Sequence, residues 1–238
     1  MKNRLKEEDK ISKSFMKFFE SLIIIFFIIF FVVPKEKVIA DNIDDLIINL
    51  RNSDRQTRLL AVEELGRISD ERAVDALLNF VVIKAEDWRI KIRAIGLLGE
   101  IADPRVSEVL VKIFNDPFIN EECPAIKWNT AIALGKNFNK GSRAVDSLID
   151  ALNHNNLLIR EAAIQSLGII GDSRAVPFLI PALNDKSFAI KFSAIKALGN
   201  IGDPQAIPFL KQILDNDSDP YIKREALSAL KNFSSEGR

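Results

Sequence analysis

A column of six cations, Arg58, Lys91, Lys127, Arg160, Lys191 and Lys223, recurs at intervals of 33, 36, 33, 31 and 32 residues. Stacked along one edge of a fold, such a column could form a groove for an acidic partner. The preferred reading is a structural ladder, in which each cation meets a cap Asp or a carbonyl of the next repeat. Other chemistry is thin. The single His, His154, sits in Asn153-His154-Asn155-Asn156 and reads as a loop residue without a fixed catalytic partner. The single Cys, Cys123, allows no internal disulfide and no Cys cluster for zinc. No catalytic residue, metal or cofactor is expected. Formal charge is zero, so no basic field advertises nucleic acid.

The elements that carry the column follow from a second repeat. Eight residues after the first five cations stands the Gly of a Leu-Gly pair: Leu65-Gly66, Leu98-Gly99, Leu134-Gly135, Leu167-Gly168 and Leu198-Gly199, with Leu230-Lys231 in sixth place. A fixed period of this size marks a stacked repeat. Nine, five, four and one residues before the Gly the column is mostly apolar, for example Ile90, Ala94, Ile95 and Leu98, which is one stripe of an α-helix. Twelve before it stand Asp54, Asp87, Cys123, Asn156, Ser187 and Asp219; five of these are N-cap types. A second helix precedes each of these, as Val176, Leu179 and Leu183 show. Pro181 should bend its helix or shift its start. With 47% apolar and 28% charged residues, and no strand pattern, the expected fold is all-α: an α-solenoid of about six helical hairpins over residues 41–234, with a short tail at 235–238.

Seven and three residues before the Gly, side chains should face outward. They are mostly polar in repeats 1, 4 and 6, but are Ile92 and Gly96 in repeat 2, Trp128 and Ile132 in repeat 3, and Phe192 in repeat 5. An apolar spot on a polar surface is what a partner site looks like, and Trp88 in the first turn of its helix could belong to it. Alternatively the longer connection Asn115 to Pro124 folds over Trp128 and buries it. That connection could itself serve binding or be a neutral insertion.

Segments such as Gly171-Asp172-Ser173-Arg174-Ala175-Val176-Pro177-Phe178-Leu179 and Ala194-Ile195-Lys196-Ala197-Leu198-Gly199 resemble the short HEAT-like repeat of the phycobilisome lyase type. The resemblance implies a right-handed superhelix and a concave binding face, and most often an interaction scaffold. The expected function is therefore a non-catalytic scaffold that binds another protein or a peptide segment around Ile92, Trp128 and Ile132. The alternative is a lyase-like or other enzyme accessory subunit of chromophore-attachment type. Export argues against that alternative, because that assembly belongs inside the cell.

Export is expected from the N-terminus. Lys2, Arg4, Lys6, Lys10, Lys13 and Lys17 precede an unbroken apolar run from Leu22 to Val33, and Val38-Ile39-Ala40 offers a small-residue cleavage pattern. Residues 1–40 read as a secretory signal, with an uncleaved anchor over Phe15 to Val33 as the rival and a buried helix as the third possibility. The repeats would then lie in the periplasm or outside the cell, and a membrane would be met only through an uncleaved segment. Removal of 1–40 leaves 25 Lys and Arg against 28 Asp and Glu, a net charge of −3.

Overall fold

A computed structural model describes residues 35–83, 86–117, 123–137 and 143–235. The proposed signal core Leu22 to Val33 lies outside these residues, as does the middle of the repeat-3 connection, 118–122. The chain divides into two compact units, Met1–Ile48 and Asn49–Arg238. In the first, helix α1 (Lys35–Asn49) carries the proposed cleavage pattern Val38-Ile39-Ala40 within its length. No described helix is long and apolar enough to cross a membrane.

The second unit is an all-α solenoid, with no strand among the described residues. The helices that carry the Leu-Gly marker near their C-terminal end are α2 (Arg55–Leu65), α4 (Trp88–Leu98), α6 (Pro124–Lys136), α8 (Leu157–Ile170), α10 (Phe188–Ile201) and, in sixth place, α12 (Pro220–Ser235). Each packs on the next in order, forming a continuous row. Between them lie α3 (Glu71–Val81), α5 (Pro104–Asn115), α7 (Arg143–Asp150), α9 (Val176–Leu179) and α11 (Ile207–Asn216). Pro181 breaks the fourth of these, so that α9 ends at Leu179 and a 3-10 piece runs over Ile180–Asn184, since Pro181 lacks the N–H for an i−4 bond; the 3-10 turn Ser173–Ala175 ahead of α9 has its counterpart at Pro204–Ala206 ahead of α11.

Start signals mostly act as the residue types require. Asp54, Asp87, Asn156 and Asp219 accept amide hydrogens of the first turn, at 2.7 to 2.9 Å. Ser187 and Cys123 stand at the same place without a side-chain cap bond. Asp70, Asp103, Asp172 and Asp203 cap the alternate helices in the same way.

The core is the apolar stripe. Leu65, Leu98, Leu134, Leu167 and Leu198 are fully or almost fully buried, as are Ala61, Ala94, Ala163, Ala194 and Ala226. Thr130, the polar member of the Ala column, donates its hydroxyl to the Ile126 carbonyl at 2.7 Å and leaves no unpaired donor. The marker Gly is a point of close approach rather than a turn: Gly66 and Gly99 keep right-handed backbone. A Cβ on Gly99, Gly135 or Gly168 would lie 2.6–2.8 Å from the Cα of Ala133, Ser166 or Ala197, two residues before the next marker. Small residues at that second column are thus the counterpart of the glycines. Ser166 satisfies its buried hydroxyl on the Ala131 carbonyl at 2.8 Å. This pairing of columns was not read from the sequence, although its spacing is visible there.

Candidate functional site

The outer face of the marker helices is a stripe at eleven, seven and three residues before the Gly and one after it, as the 3.6-residue period requires. In repeat 1 it reads Arg55, Leu59, Glu63 and Arg67; in repeat 2, Trp88, Ile92, Gly96 and Glu100; in repeat 3, Pro124, Trp128, Ile132 and Lys136. Repeat 4 has Leu157, Glu161, Gln165 and Ile169, repeat 5 has Phe188, Phe192, Lys196 and Asn200, and repeat 6 has Pro220, Arg224, Ser228 and Asn232.

Trp88, Ile92, Trp128 and Ile132 therefore share one face of two helices, α4 and α6, that pack directly on each other. Trp128 is 40% exposed and Trp88 43%, so neither is core. Ile92 and Ile132 are half-buried. Gly96 leaves a notch between them in sequence register, where an added Cβ would meet nothing within 4 Å. Arg89 covers the Trp88 ring at 4.4 Å. Phe192 is not part of this patch. It lies on α10, beyond α8, whose stripe presents Glu161 and Gln165 bonded to each other at 3.2 Å. Phe192 stacks instead on Phe188, with centroids 5.8 Å apart, a residue the sequence reading passed over. The signal was available, since Phe188 is one helical turn from Phe192.

The cation column is largely engaged by loops. Arg58 bonds Glu86 at 3.1 Å and the carbonyls of Asn52 and Ser53 at 2.8 and 3.1 Å. Lys191 pairs with Asp217 at 2.6 Å, and that bond, the first cause, holds the Asp217 carboxyl below the usual carboxylate range. Lys223 donates to the Asp215 carbonyl at 3.0 Å, and Arg160 to those of His154 and Asn155 at 2.8 and 3.3 Å. Lys91 is buried, at 2% exposure. Lys127 instead rests over the Phe114 ring at 4.8 Å, and burial lowers its pKa.

A second set of ion pairs, also missed, runs along the first helices. Arg105 bonds its own cap Asp103 at 2.7 Å and reaches back to Asp75 at 2.6 Å; Arg174 does the same to Asp172 and Asp146, at 3.1 and 3.0 Å. The Arg105 hydrogen bond keeps the Asp103 carboxyl low. A hollow of about 780 Å3 beside Arg105 is lined by Asp70, Glu71, Glu100 and Asp103 on the turns between hairpins.

With this geometry in hand, the chain matches the HEAT-repeat family over residues 43–119, 117–186 and 171–231, and it belongs to that family. Among curated proteins it is similar to the phycocyanobilin lyase subunit alpha of a Picosynechococcus species. The two are 34% identical over 142 residues, covering 54% of this chain and 50% of the relative. The chain thus matches about half the length of that relative. Among solved structures it resembles the complex of CpcE and CpcF of phycocyanin lyase from Nostoc sp. PCC7120 (TM-score 0.57, 23% identity, 80% of this chain and 76% of that one). It also resembles a designed armadillo repeat protein in complex with the peptide (KR)4 (TM-score 0.57, 15% identity, 79% and 98%). At these identities the structural likenesses show the fold alone.

The curated relative corrects the expected function. A non-catalytic scaffold, and the reading that the chain is not enzymatic, give way to the alternative of a lyase-type subunit. Among the described residues no group of three or more His, Cys, Asp and Glu could hold a metal ion.

Proposed function

We propose that this chain is a subunit of a lyase-type enzyme that acts on a bilin chromophore and its protein carrier, and that it works with a second protein subunit. The observation that carries the reading is the 34% identity to the phycocyanobilin lyase subunit alpha, maintained over 142 residues. The stripe of α4 and α6 is compatible with it. A flat conjugated ligand gains most from exposed aromatic and branched side chains over a backbone notch, which Trp88, Ile92, Trp128, Ile132 and Gly96 supply.

The test is reconstitution of the purified chain with phycocyanobilin, a bilin-accepting protein and a candidate second subunit. Covalent chromophore on the acceptor is read as bilin fluorescence in a denaturing gel. Attachment or removal that requires this chain, and that falls at least ten-fold in Trp128→Ala, supports the reading. Chromophore transfer unchanged by its presence overturns it. The basic N-terminus and apolar run are those of an export signal, and export would stand against the lyase reading, whose assembly belongs inside the cell. The mass of the mature protein tests this directly: a start at Asp41 supports export, and a start at Met1 counts against cleavage.

A further inference from the structure

The outward stripe of the marker helices carries the carboxylates Glu63, Glu100 and Glu161, and two of them are paired across a helix junction. Glu63 of α2 meets Arg93 of α4 at 3.1 Å, and Glu100, just past α4, meets Lys136 of α6 at 3.1 Å. Glu161 of α8 is half-buried and pairs with no cation among the described residues. Its Oε1 accepts the Gln165 side-chain amide at 3.2 Å and the Ser193 hydroxyl at 3.4 Å, while Oε2 accepts no hydrogen bond among the described residues. One position of the repeat accounts for this. Arg93 and Ser193 both stand six residues before their marker Gly, so α10 brings a hydroxyl where α4 brings a guanidinium. Arg160 is spent on loop carbonyls, and Lys196 keeps its ammonium over the Phe192 ring at 5.8 Å.

The marker glycines fix the height of each helix on the next. A Cβ on Gly135 would meet the Ser166 Cα at 2.8 Å, and one on Gly168 would meet the Ala197 Cα at 2.6 Å. Successive markers therefore stand within about 3 Å of one height, two residues of helical rise. Trp128, Glu161 and Phe192 each lie seven residues before their marker, so they form one row across α6, α8 and α10, which pack in that order. The spacing along the row is about 8–10 Å. The unpaired carboxylate thus stands between Trp128, 40% exposed, and Phe192, which stacks on Phe188. A half-buried carboxylate without a counter-charge carries a desolvation cost that a cation from outside removes, and a guanidinium can pair with it while lying flat on a neighbouring ring.

We infer that Glu161 receives an arginine side chain of a partner protein, whose chain runs extended across the stripe from α6 to α10. One open ion pair is too weak to hold a free cation, so flanking apolar contacts must supply most of the binding. A helix spacing equals about three extended residues. The partner segment therefore carries an apolar side chain three residues before the arginine and another three after it, one against Trp128 and Ile132 and one against Phe188 and Phe192. The site does not depend on the lyase reading, since the unpaired carboxylate belongs to α8, outside the patch of α4 and α6.

The test titrates the full chain with a glycine–serine peptide that has a central arginine and a leucine three residues to either side. Binding is read from the fluorescence of Trp88 and Trp128, the two tryptophans of the chain. The response should saturate, and the same peptide with citrulline, the neutral isostere of arginine, should bind about ten-fold more weakly. Glu161→Gln keeps an acceptor for Gln165 and Ser193, and it should bind both peptides alike, at the citrulline level. Glu161→Arg should reverse the preference and favour a peptide with a central glutamate. No saturable response, equal response of the wild type to arginine and citrulline, or a preference for arginine retained in Glu161→Gln overturns the site. N-acetylarginine amide bound as tightly as the peptide overturns the assignment to a protein partner.

Discussion

The early and late repeats share one register but end their marker helices differently. Helices α2 and α4 have 11 residues and stop at the Leu-Gly pair, whereas α8 and α10 have 14 and run on for another turn. The difference comes from the third residue after the marker Gly. In repeats 4 and 5 it is Gly171 and Gly202, with φ of 68° and 73°, and the chain leaves the helix through a left-handed cap. In repeats 1 and 2 it is Ser69 and Ala102, for which that backbone is costly. There the chain leaves early through tight turns, Ile68 to Leu65 and Ile101 to Leu98, at 3.2 and 3.0 Å. One side chain in thirty thus sets helix length without touching the core. Trp88 and Gly96 lie on the short α4, whereas Trp128 lies on α6, which has 13 residues.

The marker glycines offer the sharpest way to break this comparison. At Gly168 a Cβ would lie 2.6 Å from the Ala197 Cα, and backbone cannot give way. Gly168→Val should cost about 3 kcal/mol by overpacking. Gly66 faces the Leu97 side chain, which can change rotamer, so Gly66→Ala should cost about 1 kcal/mol. Equal losses of denaturation midpoint at the two sites would contradict the difference in approach.

Gly171→Ala should cost about 1 kcal/mol, because a Cβ must then occupy a left-handed backbone. Conversely Ala102→Gly should let α4 extend by a turn, seen as added amide protection at residues 99–102 in hydrogen exchange. No extension would show that length is set by packing and not by the cap.

Acid should act on Lys191–Asp217. The folded Asp217 carboxyl is held below its unfolded value, so its contribution is present above about pH 4 and is lost as pH falls through the folded value. Asp217→Asn keeps the turn but removes the charge, and should cost about 1 kcal/mol at neutral pH with little further loss in acid. A wild-type and variant difference that stays constant from pH 7 to pH 2 would rule the pair out.

The smallest effect is a gain. Gly96→Ala meets no atom within 4 Å and should stabilise α4 by about 0.5–1 kcal/mol. If the notch receives a ligand, the same change should weaken bilin binding, measured by absorbance titration, while raising the melting temperature. A variant both more stable and unimpaired would show that the notch is unused.

Much of this protein was legible in its residues. The 31-to-36-residue period, the Asp and Asn caps and the apolar offsets define hairpins locally, because cap bonds and helical periodicity need only near neighbours. Ile92, Trp128 and Ile132 were placed on an outward face by the same arithmetic, while Trp88 was left between an outward and a covered position. What tertiary structure decided is what spans repeats. It separated Phe192 from the other four by the polar stripe of α8 and joined it to Phe188. It showed that the Leu-Gly column answers a second column of small residues on the next helix, at a distance set by backbone contact. It also divided the cation column: Arg58 and Lys191 meet carboxylates in loops 28 and 26 residues away, Arg160 and Lys223 meet loop carbonyls, and Lys127 meets the Phe114 ring. Local rules fix a helix and its faces; which face meets which loop depends on how one repeat is laid on the next.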